Sequence, residues 1–409
     1  MPPSFSSPDY ASIFGKPLRS EAALLLSCAS TGESPLVAGT HDILNSGLDW
    51  DLALRLARAQ GMIPLLYRFL NPARAALVPE PVMRNLRMSF HANAMRNRMM
   101  IGELLRILAR FESGGIAALT FKGPVLALLA HGDAAMRQIA DLDILVRYAD
   151  AGRATEALIA EGYIPRINQS EALRAGFSQT SEDVFESPNG TAPIDLHWRL
   201  TPRYFPFAPS PDSLWPRAIN FMLDGHPVPA LSVGDLMLFL CVHSAKHGWP
   251  VLGNIADIAF LARAQPQLDW SRIYDEAFRL KCRRMLLLGA HLAGNLLAAP
   301  VPADLLHLAR RDKPVMSLAR RVLRNLFTSS GDSDARGVAG WSIPLRSIES
   351  VSGRVNYLLD RALAPTIEDW EFMAMPPPLF PLYYALRPAR LALQNAARLI
   401  GRGARAAEN

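Results

Sequence analysis

Residues 140–146, Ala-Asp-Leu-Asp-Ile-Leu-Val, place two carboxylates in an otherwise apolar segment, and this constrains the fold more than any other feature. Its apolar end, 142–146, is predicted to be a buried strand. Because side chains two apart on a strand share a face, Asp141 and Asp143 project together while Leu142 and Ile144 face a core. Unpaired charges beside apolar residues are costly, and paired carboxylates suit a divalent cation, particularly Mg²⁺. The segment therefore predicts a metal site on one face of a sheet.

A strand-to-helix junction precedes this segment. A strand predicted over 116–121 runs into Lys122 and Gly123, and a helix predicted over 123–131 follows. Glycine would let a phosphate approach the backbone, and the helix start would offer free N–H groups to an anion. Lys122 adds positive charge, and the two-pronged guanidinium of Arg137 is suited to clamping a phosphate. The alternative interpretation of Gly123 is a tight turn without a ligand.

A second acidic strand is predicted at 192–198, which includes Ile-Asp-Leu-His-Trp. Alternation puts Asp195 and His197 on one face. If this strand neighbours the strand of Asp143, three carboxylates converge, which is the arrangement that two metal ions and an in-line attack on phosphorus require. His197 is then either a partner of Asp195 or a hydrogen-bonded core histidine.

The helix predicted around 241–249 carries His243 and His247 four residues apart, hence on one face, with Lys246 beside them. Together with Asp257 they form a candidate zinc site, although no Glu follows the first histidine as in metalloproteases. Two other interpretations stay open. The face lines the nucleotide or acceptor cleft with Lys246 near phosphate, or it is a buried polar cluster.

The fold class predicted from the apolar periodicity is α/β (α+β), with a small mixed-sheet core between N-terminal and C-terminal helical regions. Strand, helix, strand and a hairpin with a Ser-Pro-Asn-Gly turn at 187–190 define that core. The predicted segments are a flexible N-terminus (1–20), an N-terminal helical region (21–113), the α/β core (114–201), a Pro-rich linker (202–231), a helical domain (232–328), a flexible loop (329–350) and a C-terminal helical segment with an Arg-rich tail (351–409).

The composition is that of an ordinary globular protein, which excludes a disordered, a collagen-like or a disulfide-stapled protein. The 409 residues carry a formal net charge of +6, too mild for this size to indicate nucleic-acid binding by itself. The three cysteines lack metal-ligand spacing, so we expect buried thiols in a reducing compartment. No secretory signal or transmembrane segment is recognisable, which favours a cytoplasmic protein. The arginines after residue 386 predict a solvated helix face, with a weak contact to an anionic surface as the alternative.

The motifs also occur in a characteristic order. Leu-Asp-Trp stands at 48–50, Pro-Leu-Leu-Tyr at 64–67, Lys-Gly at 122–123, Arg-x-x-x-Asp-x-Asp at 137–143, Asp-Leu-His-Trp at 195–198, His-x-x-Lys-His-Gly-Trp at 243–249 and a second Leu-Asp-Trp at 268–270. This ordered set resembles an uncharacterised bacterial nucleotidyltransferase family within the DNA polymerase beta-like nucleotidyltransferase superfamily. The resemblance spans roughly residues 45–395. One departure from the wider superfamily is Lys-Gly-Pro in place of a Gly-Ser or Gly-Gly pair closer to the acidic strand.

The resemblance implies a nucleotidyltransferase core, two-metal catalysis and transfer of a nucleoside monophosphate from a nucleoside triphosphate, ATP being the commonest, to an acceptor hydroxyl. Asp141 and Asp143 would hold two Mg²⁺ ions, and Asp195 would join one of them and help to activate the acceptor oxygen. The phosphates would be steadied by Lys122, Gly123 and Arg137.

The acceptor itself is not specified by the sequence. No RNA-binding motif is visible, which favours a small molecule or a protein over RNA. Two alternatives of other classes stay open: a catalytically inactive nucleotide- or partner-binding protein of the same fold, and a zinc hydrolase that uses His243 and His247.

Overall fold

The computed structural model describes residues 4–5, 18–30, 37, 39–166, 181–190, 192–327, 341–373 and 375–393. Nine strands lie in these ranges: β1 (Ser4–Phe5), β2 (Leu18–Arg19), β3 (Ala118–Thr120), β4 (Leu142–Val146), β5 (Ile164–Pro165), β6 (Glu182–Glu186), β7 (Ile194–His197), β8 (Ile219–Leu223) and β9 (His226–Ala230). The first two pair with each other, and the other seven form one sheet in the order β5-β6-β7-β4-β3-β9-β8.

The seven-stranded sheet is mixed. β4 runs parallel to β7 and antiparallel to β3, β6 pairs antiparallel with both β5 and β7, and β9 runs parallel to β3. The predicted fold class is confirmed: an α/β core with a mixed sheet and helical flanks.

The described helices are α1 (Ser20–Ala29), α2 (Thr40–Asn45), α3 (Trp50–Ala59), α4 (Ile63–Leu70), α5 (Glu80–Ser113), α6 (Gly123–His131), α7 (Ala151–Ala160), α8 (Pro211–Leu214), α9 (Val233–Lys246), α10 (Leu252–Ala264), α11 (Trp270–Arg279), α12 (Arg283–Leu297), α13 (Ala303–Arg311), α14 (Lys313–Leu326), α15 (Ser342–Ser347), α16 (Val351–Leu363) and α17 (Ile367–Phe372). Both Leu-Asp-Trp motifs begin a helix. Asp49 caps α3 and Asp269 caps α11, because each carboxylate accepts a backbone N–H from the first turn.

The two faces of the sheet pack against different helices. Leu142, Ile144 and Val146 bury one face against the second half of α5 and against α7. On the opposite face, Leu119 and Leu145 belong to a larger core that includes α9, α10 and α12. Asp143 points to this second face, because it alternates with Leu142 and Ile144. The acidic residues therefore lie between the sheet and the C-terminal helical region.

The Pro-rich segment 202–231, predicted as a linker, is part of the sheet. Strands β8 and β9 form a hairpin within it, and β9 adds to the edge of β3. Asp224 and Gly225 form its turn with φ of 50° and 83°, as a two-residue hairpin turn requires. Prolines 227 and 229 are unusual in a strand, so the sequence analysis missed β9; the Asp224-Gly225 pair is the signal that could have identified the hairpin. β9 then passes almost directly into α9: the Leu231 N–H donates to the Thr120 carbonyl at 3.0 Å, and Ser232 caps the helix.

Two segments predicted as flexible are ordered in part. Within 1–20, Ser4–Phe5 pairs with Leu18–Arg19. Within 329–350, Ser342–Ser347 forms a helix, because Ile343 and Pro344 are buried against the core. Residues 329–340 lie outside the described residues. All three cysteines are free and buried, as predicted. Across the described residues, no helix combines the length and apolar character needed to cross a membrane.

The prediction of a solvated arginine tail is wrong for its first two arginines. Arg387 and Arg390 are buried, and both donate to the Asp369 carboxylate, at 3.0 and 2.6 Å. A buried carboxylate that accepts from two guanidinium groups is satisfied on both oxygens, so these arginines anchor the helical segment 383–393 to α17. The tail arginines 398, 402 and 405 lie outside the described residues, so the contact with an anionic surface stays a prediction.

Gln60 joins the N-terminal helices to the C-terminal ones. Its buried amide donates to the Leu326 carbonyl at 2.7 Å and accepts from the Leu252 N–H at 2.7 Å, while its own carbonyl accepts from Gly253 at 2.9 Å. Gln60→Leu would leave one buried N–H and one buried C=O without a partner, each costing about 1–3 kcal/mol. We expect the free energy of unfolding to fall by roughly 2–5 kcal/mol. Unfolding in urea measures this change in the free energy of unfolding. Gln265→Leu, a half-buried glutamine at the end of α10, is the control and should change little.

Candidate metal and phosphate site

The strand pairing brings the two acidic motifs together. β4 and β7 are parallel neighbours in a register that sets Asp143 opposite Asp195. Neighbouring residues in register share a face of the sheet, so both carboxylates point to the side covered by α9. Asp141 lies immediately before β4, two residues from Asp143 and therefore towards the same side. The structure therefore brings Asp143 and Asp195 together on one face, and the convergence of Asp141 with them as a third ligand stays a prediction.

Asp143 is the buried centre of the site, with only 3% of its surface exposed. Its Oδ1 lies 2.7 Å from the Lys122 Nζ and 3.2 Å from the His197 Nε2. Its Oδ2 is buried and has no hydrogen-bond partner among the described residues. Burial alone would raise the pKa of Asp143, but the Lys122 ammonium and His197 outweigh it and hold the pKa below its usual value. Asp143 therefore stays ionised and has one oxygen left for a further ligand.

Glu182, which the sequence analysis missed, completes the surroundings of His197. It lies opposite His197 in the β6–β7 register, and its carboxylate is 3.0 Å from the His197 Nδ1. Burial lowers the pKa of His197, but Glu182 and Asp143 outweigh it and raise the pKa to about 9. His197 is thus a buried imidazolium that fixes Asp143. Counting back from a turn at 187–190 sets His197 opposite residue 180, two residues from the observed partner, so the sequence signal gives the face of Glu182 but not its pairing with His197.

The residues available to a divalent cation follow from these contacts. Among the described residues, Asp143, Asp195 and His197 form the one group of three metal-binding side chains whose ligand atoms lie within 4.8 Å of one another. Because both ring nitrogens of His197 already face carboxylates, the fitting donors are oxygens: the unpartnered Oδ2 of Asp143 and the carboxylate of Asp195. Such an oxygen donor set suits Mg²⁺. Asp141 lies outside the group of three.

The ionised forms of Asp141 and Asp195 are less favourable than the ionised form of Asp143. Burial and the Asp143 carboxylate raise the pKa of Asp141. Burial, with the charges of Asp141 and Asp143, raises the pKa of Asp195 to about 7. Among the described residues, neither Asp141 nor Asp195 forms an ion pair like that of Asp143 with Lys122, and burial with the neighbouring carboxylates outweighs the cationic groups around them. A bound cation is the group that would relieve this repulsion.

The Lys122–Gly123 junction is held against the acidic strand. Gly123 begins α6 with φ of 53°, and a Cβ there would lie 3.4 Å from the Asp141 carbonyl oxygen. Both the left-handed backbone and the close approach favour glycine. Gly123 is thus needed for a tight turn, and this turn positions Lys122 against Asp143.

The residues proposed from α9 line the same space. The rings of His243 and His247 lie 4.6 Å apart, and His243 packs on Phe239, which contacts Phe121. Burial lowers the pKa of Lys246, an effect that the Glu182 carboxylate opposes. No described residue forms an ion pair with Lys246. Lys246 is half-buried, and the carboxylates of Glu182, Asp143 and Asp195 act on it, so its amine lies near the site.

The candidate zinc site is not assembled. Asp257 is 3.0 Å from the Arg137 Nε and 3.8 Å from the His131 Nε2 instead of approaching His243 and His247. The described residues bring no third ligand to the two histidines within the 4.8 Å limit met by Asp143, Asp195 and His197.

Comparison with known proteins gives one match. A family model described as an uncharacterised nucleotidyltransferase matches residues 46–298, which is more than half of the chain and includes every candidate site residue. No curated protein and no solved structure matches the chain.

Proposed function

The chain belongs to this family of uncharacterised nucleotidyltransferases, and from that premise we propose a Mg²⁺-dependent transfer of a nucleoside monophosphate from a nucleoside triphosphate to a hydroxyl group. ATP is the first candidate for the donor. The observation that carries the proposal is the in-register pair Asp143 and Asp195, with the buried Oδ2 of Asp143 unpartnered.

The residues divide into two groups by charge. Asp143 and Asp195, with Asp141 beside them, would hold Mg²⁺, two ions in the full two-metal arrangement. Bound Mg²⁺ would supply a Lewis acid that neutralises the triphosphate and lowers the pKa of the acceptor hydroxyl. The phosphates would be held by the cationic groups and the glycine turn on the opposite side: Lys122, Gly123, Arg137 and Lys246.

The reaction then depends on position and charge. The acceptor oxygen attacks the α-phosphorus, the bond between that phosphorus and the bridging oxygen to the β-phosphate breaks, and pyrophosphate leaves. Asp195 is half-buried, whereas Asp143 is buried, and Asp195 is the group that would take the hydroxyl proton. Lys122 would balance the charge that develops on the phosphate oxygens, because it already neutralises Asp143 from that side. His197 and Glu182 keep Asp143 fixed throughout.

For the acceptor we propose a small molecule or a protein rather than RNA, because no RNA-binding motif is visible in the sequence. We place the reaction in the cytoplasm, where the three buried thiols remain reduced. A protein that binds nucleotides without transferring them is the competing function.

The first test is nucleotide binding. A ligand that binds only the native state stabilises it by about 2.7 kcal/mol at one hundred times its Kd. We therefore expect at least one nucleoside triphosphate at millimolar concentration to raise the melting temperature with Mg²⁺ and to lose most of that effect in EDTA. Differential scanning fluorimetry with the four triphosphates measures it. The absence of any Mg²⁺-dependent shift would contradict the proposal.

The second test separates transfer from binding. The protein is incubated with each α-³²P-labelled triphosphate, Mg²⁺ and a cell extract, and the labelled product is identified by its sensitivity to protease and ribonuclease. We expect label in a small molecule or a protein. Asp195→Asn, which should stay folded and lose transfer, is the matched control. Binding without label in any fraction would favour the non-catalytic alternative.

A further inference from the structure

The main chain of Arg137 is fixed by the long helix α5. The Asn97 amide donates to the carbonyls of Ala134 and Arg137, at 2.7 and 2.8 Å. One turn earlier, the Asn93 amide donates to the carbonyls of Ala135 and Arg137, at 2.9 and 3.1 Å. The Arg137 carbonyl thus accepts from two side chains, one of them the fully buried Asn97. The loop that leads to the acidic strand is therefore held by side chains of a helix.

The side chain of Arg137 is fixed separately, from α10. Its Nε lies 3.1 and 3.0 Å from the two carboxylate oxygens of Asp257. Asp257 is buried, and His131 lies 3.8 Å from its Oδ1. Burial alone would raise the pKa of Asp257, but Arg137 outweighs it and lowers the pKa, so the pair is ionised. This contact uses only the inner nitrogen of the guanidinium.

The two outer nitrogens of Arg137 remain available. Within the described ranges, no group accepts a hydrogen bond from its Nη1 or Nη2. A cavity of about 100 Å³, lined in part by Gly61, Gln138 and Asn254, lies beside the pair. Burial lowers the pKa of Arg137, but Asp257 outweighs it, and Asp143 and Asp141 act in the same direction. The guanidinium therefore lies within electrostatic range of the proposed metal ligands.

We propose that Asp257 is a positioning residue that holds Arg137 by its Nε and so presents Nη1 and Nη2 to the triphosphate. The proposal rests on the proposed function and assigns to Asp257 a role that is neither catalytic nor metal-binding. An arginine side chain carries about 2 kcal/mol of rotamer entropy, which a free residue loses only when the ligand binds. With Nε held in advance, the planar fork meets phosphate oxygens with less entropy left to lose.

The test is a double-mutant cycle on ligand binding. The probe is whichever Mg²⁺-nucleoside triphosphate the wild-type chain binds most tightly, with its Kd measured by calorimetry. We expect Asp257→Asn to raise this Kd about 10-fold, which is about 1.4 kcal/mol. Arg137→Ala should raise it at least as much, and the double variant should bind no more weakly than Arg137→Ala alone. In Asp257→Asn, the Kd of Mn²⁺ in the absence of nucleotide should stay within about twofold of the wild-type value, because Arg137 contacts no metal ligand. Electron paramagnetic resonance measures this Kd.

A matched control separates positioning from stability. Asp235→Asn removes a comparable, partly buried contact with Arg217 (3.0 and 2.7 Å) at the end of α9 remote from Lys246. Asp235→Asn should lower the melting temperature about as much as Asp257→Asn does, and it should leave the Kd of the Mg²⁺-nucleoside triphosphate unchanged. If Asp257→Asn does not fold, Arg137→Lys is the substitute variant. Lysine keeps the positive charge, but its single ammonium cannot pair with Asp257 and bind two phosphate oxygens at the same time. Arg137→Lys should also raise the Kd about 10-fold.

The outcomes are distinguishable. If wild type binds a triphosphate and Asp257→Asn binds it equally well, or if the two substitutions add, the positioning role is overturned while the proposed function stands. If wild type binds no triphosphate, both fall together.

Discussion

Asp143→Asn should abolish nucleotidyl transfer and also destabilise the metal-free protein. The substitution would remove the charge that a cation requires, and a loss of about 10³-fold or more in turnover is the expected scale for an electrostatic group of this kind. It would also leave the buried Lys122 ammonium and the His197 imidazolium facing a neutral amide. Breaking one side of a buried ion pair costs about 3–5 kcal/mol. The measurements are label transfer and urea unfolding in EDTA.

Asp195→Asn should lose the same activity as Asp143→Asn but should have the opposite effect on stability. Burial and the charges of Asp141 and Asp143 raise the pKa of Asp195 to about 7, so the folded protein disfavours its ionised form. Above pH 7 that cost is fully present, and a neutral amide removes it. We therefore expect Asp195→Asn at pH 8 to lose transfer as completely, to be at least as stable as wild type, and to retain more nucleotide binding than Asp143→Asn. Near-normal transfer by Asp195→Asn, or equal stability changes in both variants, would contradict the proposed division of roles.

Lys122→Ala should lose both triphosphate affinity and stability. Its Nζ lies 2.7 Å from the Asp143 Oδ1, and the Asp143 carboxylate outweighs the effect of burial and raises the pKa of the lysine. Without Lys122, His197 is the one cationic group among the described residues that still contacts the buried Asp143. We expect the free energy of unfolding to fall by about 3 kcal/mol and the Kd of the Mg²⁺-triphosphate to rise at least tenfold.

Lys246→Ala is the control for Lys122→Ala. Burial lowers the pKa of Lys246, so its charge does not stabilise the free protein. Its loss should weaken triphosphate binding without lowering the melting temperature in the absence of ligand. If Lys122→Ala proved as stable as wild type, the contact with Asp143 would carry less energy than its distance and burial indicate.

The sequence predicted the elements of the site better than their partners. Alternation along β4 and β7 predicted the shared face of Asp143 and Asp195, because a strand repeats every two residues regardless of what packs on it. The same reasoning treats Asp141, Asp143 and Asp195 as equivalent like charges. Only the tertiary contacts separate them, since Lys122 and His197 contact Asp143 directly and lower its pKa, whereas burial and like charges raise the pKa of Asp141 and Asp195.

The residues missed by sequence reasoning are those whose partners lie far along the chain. Strand alternation places Glu182 on the face of His197, but the pairing of the two residues is shifted by two residues from the register that a turn at 187–190 would set. Asn93 and Asn97 gave no such signal. They are two ordinary polar residues one turn apart on a long helix, and their acceptors, loop carbonyls between 134 and 137, are about forty residues away.

The direct passage from β9 into α9 has a mechanical consequence. Strand β9 is bonded to β3 up to Ala230, the Leu231 N–H is bonded to Thr120, and α9 begins two residues later. The junction contains no loop that could act as a hinge, so α9 cannot rotate away from the sheet about the Pro-rich segment. Lys122, two residues after Thr120, and Lys246, at the end of α9, therefore keep their spacing whether or not a nucleotide is bound. The triphosphate would meet two cationic groups already in place, and little of its binding energy would be spent on closing a lid.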